Sequence, residues 1–574
     1  MLSATATPAA FQALSISHPT DPPQRAYAMT RTVLFNRRTK TRALTKTVSA
    51  TYRALHKSAV IFHVIAALAI TSFSAQAAEF NLQTATIEDI NKAFDAGALT
   101  SEKLTQLYLN RIAAYDQQGP KLNTIITLNQ EALATARALD EERKTKGPRS
   151  KLHGVPVVLK DLFDTKDMPT TAGFLPMKNS QPMYDATVVA RLRDAGAIIL
   201  AKVNMSDWFG VPKDGDQSTV LGRTLNPYNL KLTPGGSSGG TGAALAASFA
   251  QIGLGSETGV SIRNPTANNS IVGLAPSRGL IPRAGQVMTS FMQERAGPMG
   301  RSVYDVAALT DVLAGFDAED LMSVASLGKT PKDSYTTFLQ KDGLRGARIG
   351  VFRDLFRKGK MHEEGVALVE AAIAQMKAAG AVIVDPISTG LDLFPLLAET
   401  RTNYHEAQFS YNLYFRRLGP NAPIKNMDDL LSKGGSLVKP SIVQGYQEFN
   451  SLMHHPDFLA RQATQETLKE AAVALMQKYR LNALVYPFKS VPPEGHLERH
   501  PEKDNPFSSV TGLPAVLVPA GYTKKENGPI AIEFLGQPFS EPTLFRLAYA
   551  YEQLSHNRKT PASVPALPGE SFSY

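Results

Sequence analysis

Residues 233–263 read TPGGSSGGTGAALAASFAQIGLGSETGVSIR and hold two glycine-flanked serine clusters, 235–240 and 259–261, joined by an alanine-rich segment. Glycines open backbone conformations closed to other residues and let the main chain approach a ligand closely. The good helix formers of 241–249 predict a helix, with Ser237, Ser238 and Thr241 at its entry. Residues 251–255 read as a short buried strand that ends in a polar turn bearing Ser261. A serine at a helix entry and another at a strand exit, both beside backbone N–H groups, suit acyl transfer. That chemistry needs a nucleophile and donors for a developing oxyanion.

Other readings of the stretch fit less well. A flexible linker would not lead into an apolar helix and strand. A phosphate loop would end in GK[ST], which is absent. Gly240-Thr241-Gly242 lacks the third glycine and the preceding strand of a dinucleotide site. Gly236-Ser237-Ser238-Gly239-Gly240 formally fits G-x-S-x-G, with Ser238 as nucleophile. That elbow follows a core strand, whereas Pro227 and Pro234 bracket a poor one.

Such serines need a scaffold, and the chain supplies an α/β alternation. Thr86 opens a capping box and Thr100 caps a second helix. A strand over 123–128 precedes a charged helix over 130–146. Residues 155–159 are a continuous apolar run, as in a strand buried on both faces, and Lys160 stands at its end. Most lysines so placed run to solvent. A helix (186–195), a strand (197–201) and a further helix (304–313) follow, and 347–384 reads as a βαβ unit. Residues 390–480 are helix-rich and aromatic, the natural place for a substrate-side cap. Strands at 484–486, 515–518 and 530–535 return to the same sheet. The fold class is therefore α/β, one large domain over 78–574, with a central mixed sheet flanked by helices.

The 574 residues carry no cysteine, which excludes disulfides, thiolate metal sites and a cysteine nucleophile. The net charge of +10 is concentrated at the start: residues 1–58 hold nine Lys or Arg against Asp21 alone, and 59–77 hold no charge. The remainder is nearly neutral, so nothing electrostatic favours a nucleic-acid partner. The apolar run 59–73 and Ala75-Gln76-Ala77 complete the layout of a secretory signal peptide. The expectation is a leader over 1–77, cleavage after Ala77, export, and no stable membrane association afterwards. The apolar run is short for a membrane span.

Gly-Gly-Ser-Ser-Gly-Gly followed by Gly255-Ser256-Glu257-Thr258-Gly259-Val260-Ser261-Ile262-Arg263 resembles the amidase signature family. The 24-residue spacing of Ser237 and Ser261 matches the family's bridging serine and nucleophile. Gly154-Val155-Pro156-Val157-Val158-Leu159-Lys160 matches the run before its catalytic lysine. Further agreement lies at 201–205, 297–299 and 511–515, so the resemblance spans about residues 80–565.

The resemblance implies an amidohydrolase with Ser261 as nucleophile, Ser237 as relay and Lys160 as base. It places Thr258, Gly259, Val260 and Ser261 around the oxyanion, a cis bond between Gly236 and Ser237, and Ser238 where it helps to orient Lys160. It implies no cofactor, no metal, a small amide substrate and esterase side activity. Lys160 must be neutral, and moving its pKa from ~10.4 to about 7 takes roughly 4–5 kcal/mol of differential environment. Burial supplies a cause, which Asp161 opposes if it faces inward.

Two positions depart from the pattern. Val260 replaces a glycine, giving bulkier walls to the acyl side. Glu257 replaces an aspartate and is expected to pair with Arg263. Trp208, Phe209, Phe291, Met292 and the segment 393–414 are candidates for an apolar substrate pocket. The alternatives are an inactive secreted binding protein of the same fold and an amidotransferase component that amidates misacylated tRNA, which an export signal disfavours.

Overall fold

The computed structural model describes residues 78–210, 217–448, 455–496, 505–524 and 526–574. The leader expected over 1–77 lies outside them. Eleven strands among the described residues form one mixed sheet: β1 (Ile125–Leu128), β2 (Pro156–Lys160), β3 (Ile198–Val203), β4 (Ile252–Glu257), β5 (Val272–Ala275), β6 (Arg295–Gly300), β7 (Arg348–Phe352), β8 (Val382–Ile387), β9 (Ala483–Pro487), β10 (Ala515–Tyr522) and β11 (Pro529–Leu535). Their order across the sheet is β8-β7-β9-β11-β10-β5-β6-β4-β2-β3-β1. The strands β7, β8 and β9 run parallel at one side and β2, β3 and β4 at the other. Antiparallel pairs join the two sets.

The apolar run at 155–159 has no polar face, and β2 lies between two parallel neighbours with every residue buried. Burial on both faces is what such a run encodes. Registers Leu159↔Leu254 and Lys160↔Val203 bring the ends of β4, β2 and β3 to one level. Their last residues therefore open onto a common edge, where a parallel α/β sheet offers its crevice.

The central strands β5 and β6 are not legible in the sequence. Arg295–Gly300 reads RAGPMG, whose glycines and proline mark a loop by local rules. It becomes a strand because β4 on one side and β5 on the other supply its backbone partners. The helix expected over 241–249 is displaced to Gly239–Ala246, and Ser248 leaves it at a φ of 56°. Gly240 belongs in the helix because a Cβ there would lie 2.2 Å from the Asn204 carbonyl oxygen, so only glycine permits this close packing.

The expected cap region forms helices Leu393–Glu399, Asn403–Arg417, Met427–Gly434, Pro440–Glu448 and Pro456–Lys478. At the ends of the described chain, Glu79–Asn81 pairs antiparallel with Ser571–Ser573. Among the described residues no helix is long and apolar enough to cross a membrane.

Candidate active site

Lys160, the last residue of β2, is fully buried. Its Nζ lies 2.6 Å from Ser237 Oγ and 3.0 Å from Ser256 Oγ. It also sits 5.1 Å from the centroid of the Trp208 ring. Burial strips the ammonium of water and lowers its pKa to about 7, while Glu294 and then Glu257 oppose that shift. Asp161 does not oppose it. Its carboxylate turns to Lys202, 3.0 Å away, and accepts from the Thr171 hydroxyl. The second buried lysine thus absorbs the neighbouring negative charge and leaves Lys160 without an adjacent counter-ion.

Ser237 precedes the helix Gly239–Ala246, and its peptide bond to Gly236 is cis. Its carbonyl accepts from Ser206 N–H at 3.0 Å, and its Oγ accepts from the Trp208 indole N–H at 3.2 Å. Trp208, one of the residues expected to line a pocket, therefore has a polar contact that its type alone does not announce. Phe209 packs instead in an aromatic group with Phe174, Tyr411 and Phe415.

Ser238 makes no hydrogen bond to Lys160 and acts on its surroundings through Ser256. Its hydroxyl accepts from Ser256 N–H at 3.2 Å and donates to the Ser256 carbonyl at 3.3 Å. Ser238 so fixes the backbone of β4, and Ser256 makes the direct contact with the lysine. Ser256 stands in the second glycine-framed block, but its contact with Lys160 is not legible there; only the register of β4 beside β2 brings it to the lysine.

The turn after β4 has a regular division of labour. The carbonyls of Thr258, Gly259, Val260 and Ser261 accept from Gln293 Nε2 (3.2 Å), Arg263 Nη2 (2.8 Å), Asn264 N–H (2.7 Å) and Ser238 N–H (3.3 Å). Among the described residues, no protein acceptor takes the N–H groups of Gly259, Val260 and Ser261. Pinning the carbonyls to one side leaves consecutive N–H groups for a ligand oxygen, the arrangement required for an oxyanion.

Charge holds this turn in place. Glu257, the last residue of β4, accepts from the N–H groups of Ile262 (3.1 Å) and Arg263 (3.0 Å). Arg263 Nε lies 2.8 Å and Arg295 Nη2 2.7 Å from its Oε1, and Arg263 reaches Glu533 at 3.0 Å. Burial drives the Glu257 carboxyl upward, but Arg263 and Arg295 outweigh it and hold the group below its ordinary value. The expected Glu257–Arg263 contact is thus half of a larger buried network.

A further buried carboxylate, Glu294, bonds to Thr258 Oγ1 and accepts from Gln286 Nε2 at 3.2 Å. Burial raises its pKa, against hydrogen bonds from Thr258 and Ser256 and the charge of Lys160. Glu294 therefore acts on the lysine through its charge while its bond to Thr258 holds the oxyanion turn.

The φ of Val260 lies outside the left-handed region, so the valine causes no backbone strain. Its side chain is buried with Ala267, Phe488, Leu517 and Ala531, a small apolar cluster that absorbs the extra bulk. Phe291 borders a cavity of about 460 Å³ whose lining includes Met288, Leu413 and Tyr414.

Comparison with known proteins agrees over the same stretch. The Amidase family model matches residues 103–545. A probable amidase of Arabidopsis thaliana is 33% identical over 508 residues, covering 84% of this chain and 93% of that protein. A component of the glutamyl-tRNA(Gln) amidotransferase of Myxococcus xanthus is 33% identical over 476 residues, covering 80% and 94%. Among solved structures, the native peptide amidase of Stenotrophomonas maltophilia superposes with a TM-score of 0.75 at 33% identity, covering 83% of this chain and 98% of that one. An aryl acylamidase at 21% identity and a TM-score of 0.70 shares the fold. With its mixed sheet, its glycine-framed serines and these relatives in agreement, the chain belongs to the amidase signature family of hydrolases acting on amide C–N bonds.

Proposed function

We propose that the chain hydrolyses a small carboxylic amide through an acyl-enzyme on Ser261, with Ser237 as proton relay and Lys160 as base. The observation that carries this reading is the turn of unpaired N–H groups that ends at Ser261, next to a buried lysine whose pKa is lowered to about 7. Neutral Lys160 takes the proton of Ser237 while Ser237 takes that of Ser261. Ser261 Oγ then bonds to the amide carbon, and the carbonyl oxygen, now negative, is held by the N–H groups of Gly259, Val260 and Ser261. The proton returns through Ser237 to the leaving nitrogen as the C–N bond breaks. Water, deprotonated along the same route, cleaves the acyl ester and restores Ser261.

Two groups fix Ser237 Oγ for this relay: the Lys160 Nζ at 2.6 Å, which takes its proton, and the Trp208 indole N–H, which donates to it. Removing Ser261 should abolish both amide turnover and covalent labelling by a fluorophosphonate, whereas Ser238→Ala should retain labelling. A label mapped to any serine other than Ser261, or turnover that survives Ser261→Ala, would overturn the assignment. A tRNA-dependent reading, prompted by the amidotransferase relatives, predicts that hydrolysis needs added protein partners; turnover by the isolated chain decides against it.

We further infer that the protein is exported and acts as a mature chain from Ala78. The basic and apolar leader and the Ala75-Gln76-Ala77 pattern support this. N-terminal sequencing of the exported protein should give Ala78; an intact leader on active cytoplasmic protein would refute the inference.

A further inference from the structure

Arg401 lies between the helices Leu393–Glu399 and Asn403–Arg417, far in sequence from the serine clusters. Its guanidinium nevertheless packs on the oxyanion turn: a Cβ built on Gly259 would fall 1.6 Å from Arg401 Nη2 and 2.7 Å from its Cζ. Any residue but glycine at 259 would displace it. The contact is also built from the other side. Gln293 Oε1 accepts from the N–H and the hydroxyl of Thr402, both at 2.7 Å, and Gln293 Nε2 donates to the Thr258 carbonyl at 3.2 Å. Arg461 donates to the carbonyls of Glu399 and Arg401. One glutamine thereby ties the segment carrying Arg401 to the turn carrying Ser261.

The charge of Arg401 is unanswered. Arg263 and Arg295 meet Glu257, and Arg283 meets Asp320 at 2.8 Å. Arg401 is half-buried, its Nε is buried without a partner, and among the described residues no carboxylate pairs with it. The acid nearest in sequence on the following helix, Glu406, is committed to Ser290 Oγ, Met292 N–H and Thr402 Oγ1. A guanidinium stays charged at any physiological pH and offers a planar fork that fits a carboxylate. A half-buried guanidinium beside a reactive turn is placed to receive a ligand carboxylate.

We infer that Arg401 binds a carboxylate on the acyl portion of the substrate, which makes half-amides of short dicarboxylic acids the preferred substrate class. This rests on the amide-hydrolase reading and specifies it. The acyl side follows from the position of Gly259, whose N–H belongs to the group that holds the carbonyl oxygen. Gly259 and Ser261 lie two residues apart, at most about 7.6 Å between Cα atoms. The carboxylate therefore sits a few bonds from the scissile carbon, the reach of succinic or glutaric half-amides.

Hydrolysis of glutaramic acid is compared with that of neutral pentanamide by the wild type and by Arg401→Gln. The wild type should favour the acid. In the variant the ratio of the two kcat/KM values should fall about 30-fold, a typical penalty for losing a charge-assisted bond, and mainly through KM. Arg401→Lys should recover part of the ratio. A second measurement does not depend on turnover: calorimetry of glutarate binding to Ser261→Ala protein, with and without Arg401→Gln, and melting curves to confirm folding. Loss of glutarate binding with Arg401→Gln supports the site even if no amide is hydrolysed, in which case the amidase reading alone fails. Equal glutarate binding in both folded proteins, or an unchanged acid-to-neutral ratio, would overturn it.

Discussion

Replacing Glu294 by glutamine should move the acidic limb of the pH–rate profile downward. Lys160 titrates near 7 because burial disfavours its ammonium, and Glu294 is the largest influence in the opposite direction. Ser256 Oγ lies 3.0 Å from Lys160 Nζ, and Glu294 is buried beside them, bonded to Thr258 Oγ1. An opposite charge shifts a pKa appreciably within about 4–6 Å. At an effective dielectric constant of ~20 that separation corresponds to ~3 kcal/mol, or ~2 pH units. Glu294 is itself raised by burial and shares a proton with the lysine over part of the range, so the realised shift is about one unit.

The sign is set by which form the carboxylate favours. Ionised Glu294 stabilises the ammonium; neutral glutamine does not. Lys160 in the variant therefore gives up its proton at lower pH, and the base is available down to about pH 6 rather than about 7. The assay is kcat/KM for a neutral amide from pH 5 to 9 at constant ionic strength, with a melting temperature at each pH. A limb that stayed in place, or rose, in a folded variant would show that a different group limits the rate. Histidine would be the first suspect, since its ordinary pKa of ~6.5 lies in the same range.

Other substitutions separate catalytic from structural roles. Lys160→Met should abolish amide turnover and stabilise the fold by roughly 2 kcal/mol at pH 6, since moving the lysine from 10.5 to about 7 costs about 5 kcal/mol and two orphaned hydroxyls offset part of the gain. The unfolded chain holds more protons between about 7 and 10.4, so wild-type stability rises with pH there. The variant's advantage in urea should therefore shrink towards pH 10; an advantage that grew instead would contradict the buried neutral base. Trp208→Phe keeps a ring over Lys160 but removes the donor to Ser237, so kcat should drop about tenfold with KM little changed. Val260→Ala should lower stability by about 1–2 kcal/mol and leave relative kcat/KM across a graded acyl series unaltered, because the side chain packs with Phe488 and Leu517. A reordering of acyl preference would return Val260 to the pocket wall.

The legible parts of this protein are those whose physics is local. An unbroken apolar run announces β2 and places Lys160 at its end, and glycine-framed serines announce a site where backbone N–H groups are exposed. The fold class follows from the same runs, since strands without a polar face need neighbours on both sides. What could not be read depends on strand register. Glu257 meets Arg295 because β4 and β6 pair antiparallel at those two residues. Ser256 meets Lys160 because β4 and β2 run side by side.

That division explains how a neutral lysine is held in a site so rich in carboxylates. Glu257 and Glu294 both act to favour the ammonium, and Asp161 is next to Lys160 in sequence. Each is instead committed elsewhere: Asp161 to Lys202, Glu257 to two arginines, and Glu294 to the Thr258 hydroxyl and the Gln286 amide. Two of the cations that accomplish this, Lys202 and Arg295, lie on β3 and β6, which flank the strands of the reactive groups. Only Glu294 lacks a cation bonded directly to it among the described residues, which is why its removal should be felt most strongly at Lys160. The pKa of the base is thus set less by what touches Lys160 than by what neutralises its neighbours.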